Sequence, residues 1–125
     1  MPYFLAKTAV FLIVYGARCD AGILGDPAKV ALKDSEFHRR LSEATHNPLL
    51  VLLLDTIQQM MLEVRTLVST EQKLFDRVMP MHRWIIESVA ARNAAGARKA
   101  MREHVEIALE IQRELIERQK SADHR

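Results

Sequence analysis

The chain has 125 residues, 49% of them hydrophobic and 27% charged, with a formal net charge of +2. That is the composition of one globular domain, which excludes a disordered or fibrous chain, and eighteen basic against sixteen acidic residues leave no large basic excess for gripping DNA. The single cysteine, Cys19, excludes an intramolecular disulfide framework, and four glycines with four prolines argue against a turn-rich β fold.

Residues 1–25 form an atypical opening segment. Ala9 to Tyr15 is a β-prone apolar run, too short to span a bilayer. Lys7 before it and Gly16 to Gly22 after it loosely resemble a signal peptide, but Arg18 and Asp20 sit badly for cleavage. The expectation is a cytoplasmic chain without a membrane span, in which this run is a buried strand or helix, or a start not native to the domain.

From Asp26 the punctuation is helical. Asp26-Pro27 and Asn47-Pro48 each join an N-cap to a proline suited to the first helical position, and Asn93 precedes Ala94 in the same manner. Met79-Pro80 reads as the start of a further helix. The pattern predicts helices over 27–45, 48–68, 80–91 and 94–119, with 69–79 a loop or a continuation of the second helix. It predicts a domain over 26–120 and a polar tail over 121–125.

Each helix carries an apolar stripe at three- and four-residue spacing. The first has Val30, Phe37, Leu41 and Ala44; the second has Leu50, Leu53, Ile57, Met60, Met61, Val64 and Leu67. The third has Ile85, Ile86 and Val89; the fourth has Ala97, Met101, Ala108, Ile111 and Leu115. These stripes predict an all-α fold, an antiparallel helical bundle around one core. Leu49 to Leu54 is apolar on every side and calls for cover by other helices or by a second subunit, hence an expected homodimer. The charges of the last helix, from Arg98 to Glu117, are mixed in sign and read as a solvated face with i, i+4 pairs.

Four ionisable residues fall on these inner faces. Asp34 and His38, four residues apart, share a face with Val30, Phe37 and Leu41; His82 lies with Ile85 and Ile86, and His104 lies between Met101 and Ala108. An inward carboxylate and three inward imidazoles need partners. One divalent cation in a pocket of the bundle core would serve all four, and three histidines with one carboxylate suit Zn, Ni, Fe or Mn and not Ca. Each residue taken alone has a plainer reading, as a hydrogen-bonded core histidine or an Asp–His ion pair. His46 reads as a helix-end residue and His124 as part of the tail.

The motif Asp34-x-x-Phe37-His38-x-x-Leu41, followed by Ala44-x-x-Asn47-Pro48-Leu49-Leu50, resembles the central motif of the FCD domain. That is the ligand-sensing C-terminal domain of the FadR subfamily of GntR-type transcriptional regulators. His82-x-x-Ile85-Ile86, Asn93-Ala-Ala-Gly-Ala97 and Met101-x-x-His104 are similar to its second block, in which two histidines stand 22 positions apart, as 82 and 104 do. The family usually has Asp where this chain has Asn93. The resemblance covers about 27–119 and implies a metal held by Asp34, His38, His82 and His104, with open positions for a small carboxylate effector. The effector-contacting residues are not assigned by the sequence.

Only 33 residues precede Asp34. A winged-helix DNA-binding domain needs roughly 60, the size of a small autonomous domain, so the chain reads as a truncated or rearranged regulator that does not itself bind DNA. A metal-dependent enzyme is the alternative, disfavoured because Glu36 and Glu103 are phased outward and no Ser/His/Asp or glycine-rich phosphate motif is present. A purely structural helical interaction protein is the other.

Overall fold

The computed structural model describes residues 26–125, and over these it contains four helices and no strand. The apolar run 9–15 and its expected strand or helix lie outside the described residues. We number the helices α1 (Pro27–Ala44), α2 (Pro48–Thr70), α3 (Gln72–Ala90) and α4 (Ala94–Asp123).

Three of the four helix starts follow the expected caps. Asp26 accepts from the Lys29 N–H at 3.2 Å, Asn47 from Leu49 at 3.1 Å and Asn93 from Gly96 at 2.9 Å. Each side-chain oxygen satisfies a donor that the first turn leaves without a helical partner. The residues before the Asn caps, His46 and Arg92, adopt φ of 56° and 55°. They reverse the chain in the left-handed region where a glycine is usual. The helix-end reading of His46 is correct in this sense.

The helices form two units that divide at Glu71. In the first, α1 pairs with α2 across a three-residue turn. Arg39 bridges to Asp55 at 3.0 Å, Gln58 donates to the Ser35 carbonyl at 3.0 Å, and Arg65 meets Asp34 at 3.0 Å. Partner numbers fall on α1 as they rise on α2, so the pair is antiparallel. The Glu43 hydrogen bond, and then the charge of Asp55, raise the pKa of Arg39 above its ordinary value. Val30, Ala31 and Phe37 are buried.

In the second unit α3 pairs with α4, again antiparallel: Arg77 reaches Glu110 and Glu114, and His82 lies against His104. Leu74, Phe75, Ile85, Ile86, Ala100 and Ile111 are buried. Glu110 and Glu114, on the expected solvated face of α4, are exposed and pair with Arg77 of the neighbouring helix.

Three local expectations are corrected. Residues 72–79 are helical, and Pro80 lies inside α3 instead of opening it. A proline in a helix interior costs about 3 kcal/mol, but Leu74 and Phe75, at 3% and 9% exposure, gain roughly 1.5–3 kcal/mol each by burial. The helix therefore continues through the proline. The expected stripe of α2 is covered only in part: Met61 and Val64 are half-buried, but Leu50, Leu53, Ile57, Met60 and Leu67 are 44–73% exposed, and the one buried residue is Arg65. Finally, α4 runs to Asp123, through most of the expected tail.

Replacing Asn93 by Ala should cost about 1 kcal/mol through loss of the α4 cap, a drop of roughly 4–8 °C in Tm for a domain near this size. Asn93→Asp should keep the cap and leave Tm unchanged or slightly raised, as a thermal melt followed by circular dichroism will show.

Candidate metal centre

Helix α1 sets the first pair of donors. One turn separates Asp34 from His38, so both project from one face, and Asp34 Oδ1 stands 3.4 Å from His38 Nε2. Both side chains are largely buried, at 14% and 13% exposure. Phe37, fully buried, presents its ring edge-on to the His38 imidazole at a centroid distance of 5.1 Å and limits its tilt.

The second pair comes from α3 and α4. His82 and His104 are 1% and 6% exposed, and their rings meet edge to face at 4.6 Å between centroids. Ala100, buried one turn before His104 on α4, adds little bulk on that face. The structure thus brings Asp34 and His38 together in the first unit and His82 and His104 together in the second. His38, His82 and His104 can each offer one ring nitrogen to a metal ion.

Sequence reasoning missed Arg65. Its Nε lies 3.0 Å from Asp34 Oδ2, and its side chain is only 9% exposed. Its Nη1 donates to Ser35 Oγ at 2.8 Å and to Gln58 Oε1. A buried carboxylate calls for a positive charge, and that requirement was the available signal. Arg65 also follows Met61 by four residues and Gln58 by seven, on one helical face.

The donor set fits a transition metal. Imidazole nitrogens, which His38, His82 and His104 can supply, are ligands of Zn, Ni and Fe sites, and Arg65 neutralises the Asp34 carboxylate beside His38.

The model of the FCD domain family matches residues 16–107. The chain belongs to that family, the ligand-sensing regulatory domains of GntR-type regulators. Over 90 residues it is 29% identical to a protein of Escherichia coli (strain K12) named "Putative L-lactate dehydrogenase operon regulatory protein", with 69% of this chain and 35% of that protein covered. The protein of the same name from Shigella flexneri matches to the same extent. The chain therefore spans about a third of the length of these curated relatives. No solved structure matches it. Among the described residues no helix is long and apolar enough to cross a membrane.

Breaking the Asp34–Arg65 pair from the arginine side leaves a buried carboxylate without its guanidinium. Arg65→Gln should cost about 3–5 kcal/mol. Asp34→Asn combined with Arg65→Gln should recover about 1–3 kcal/mol of the summed single losses. Urea unfolding of the four proteins measures both, and simple additivity would contradict the pairing.

Proposed function

We propose that this chain is the metal-dependent, effector-sensing domain of a GntR/FadR-type transcriptional regulator. In this reading Asp34, His38, His82 and His104 together hold one divalent transition-metal ion. The observation that carries it is the His82–His104 contact, two imidazoles at 1% and 6% exposure with centroids 4.6 Å apart. Apolar packing alone does not select such a pair, and its spacing is the one the FCD resemblance assigns to metal ligands.

A cation held there supplies a Lewis-acidic positive charge for the carboxylate of a small effector. The chain's own residues do the rest. Phe37 holds the His38 ring on one side, Arg65 holds one oxygen of Asp34, and burial of His82 and His104 excludes bulk water from their nitrogens. An effector that binds one arrangement of the helices better than another shifts the population between them. DNA contact is assigned to another part of the regulator, and the site of action to the cytoplasm. A second copy of the chain is proposed to cover the exposed leucines of α2.

The two relatives are named for an L-lactate dehydrogenase operon, which makes L-lactate the first effector to try. Elemental analysis of protein purified without a nickel column or chelator should find about one divalent ion per chain, as a single four-ligand site requires. His82→Ala with His104→Ala should abolish it. L-lactate or a related small carboxylate should raise Tm in the loaded protein and not in the double variant.

The structural reading draws on one specific observation, the Asp34–Arg65 pair, which already answers the charge of the carboxylate. A Tm unmoved by chelator, together with no bound metal, would establish it in place of the sensor.

A further inference from the structure

The two carboxylate oxygens of Asp34 have different surroundings. Oδ1 is the one beside His38, at 3.4 Å; Oδ2 is held by Arg65 Nε at 3.0 Å. The guanidinium is fixed as well as charged. Nη1 donates to Ser35 Oγ at 2.8 Å and to Gln58 Oε1, and Gln58 Nε2 in turn donates to the Ser35 carbonyl at 3.0 Å. Helices α1 and α2 therefore hold this cation in place from three directions. An arginine keeps its charge at every physiological pH, and at 9% exposure water screens it weakly.

We propose that Arg65 is a resident counter-charge that competes with the divalent metal for Asp34 and so limits how tightly the site holds it. This inference rests on the metal reading given above. Two opposed effects decide its sign. Fixing one oxygen of a ligating carboxylate orients the other, and outer-shell partners of ligands typically change metal affinity by about 10–100-fold. On the other side, a full positive charge at ion-pair distance from the ligand repels an incoming dication through a weakly screening interior. It also withdraws part of the negative charge that the dication seeks. Orientation is the smaller loss here, because Asp34 is placed by α1 one turn from His38. Repulsion is therefore the larger effect. Arg65 makes the site habitable without a cation and the cation exchangeable.

The probe is Co(II) alone, titrated into the full chain and followed by its visible d–d absorption, with a competing chelator to fix Kd. Arg65→Gln should bind Co(II) at least about tenfold tighter than the wild type, given the size of a charge–charge interaction in a poorly screened site. Arg65→Lys, which keeps the charge, should stay within about threefold. In an Asp34→Asn background Arg65→Gln should tighten binding by less than it does with Asp34 present, because only the direct repulsion of the dication then remains. A structural role would lower the Tm of Arg65→Gln and leave Kd and the Asp34 dependence untouched. Should Arg65→Gln not fold, Ser35→Ala with Gln58→Leu loosens the guanidinium and should tighten binding a few-fold. Equal or weaker binding by the folded variants overturns the inference while the metal reading stands. A wild-type chain that takes up no Co(II) or Zn(II) overturns the metal reading, and this inference with it.

Discussion

A carboxylate that lies mostly out of water must be answered by positive charge, and in the first unit this requirement organises the rest. Asp34 is answered by Arg65 from the facing helix. Placing a guanidinium inward fixes the rotation of α2 about its own axis. Gln58 and Arg65 then face α1, and Leu52, Leu53, Met60 and Leu67 are exposed. A helix apolar on every side at its start has no preferred inner face by hydrophobicity. One polar contact selects it.

The second unit is organised differently. Its pairing rests on apolar burial, with Leu74, Phe75, Ile85 and Ile86 on α3 and Ala100 and Ile111 on α4. Arg77, bidentate on Glu114 and touching Glu110, closes the same pair at the surface. Such exposed ion pairs contribute little, about 0–1 kcal/mol each. The apolar contacts dominate, and they are strong enough to carry a helix through Pro80. Within that apolar setting His82 and His104, with Ser88, are the buried polar residues.

Much of this was legible in the sequence. Caps are local chemistry, so Asp26, Asn47 and Asn93 could be placed without any knowledge of packing. The inward phase of Asp34, His38, His82 and His104 follows from their spacing to Phe37, Ile85 and Met101, residues on stripes that have a clear polar side. Two features were not legible, for physical reasons. Proline rules describe local cost, and at Pro80 a tertiary gain of similar or larger size prevails. The face of α2 depends on a contact 31 positions away in sequence, between residues 34 and 65. Hydrophobic periodicity weighs residues by polarity and so counts an arginine as surface, and it placed the stripe on Leu53, Met60 and Leu67 instead. The charge of Asp34 is the signal that points inward, and Arg65 is the one basic residue of α2 that can answer it.

A carboxylate neutralised by the polypeptide itself bears on how such a domain can sense a ligand. Structural zinc in small domains contributes on the order of 10–16 kcal/mol of apparent binding free energy, and the fold fails without it. A sensor works in a narrower range, where couplings of about 1–3 kcal/mol between sites are usual. A cation that supplied the whole stability of the fold would hold one arrangement so firmly that an effector could not move the balance. In this chain the burial of Phe37 and Ile85, the three Asx caps and the Asp34–Arg65 pair each stabilise a helix pair by means of the polypeptide alone. On the proposed reading, the metal is then left with a smaller and more adjustable share of the free energy. That is the condition under which a small carboxylate, binding weakly, can change which arrangement prevails.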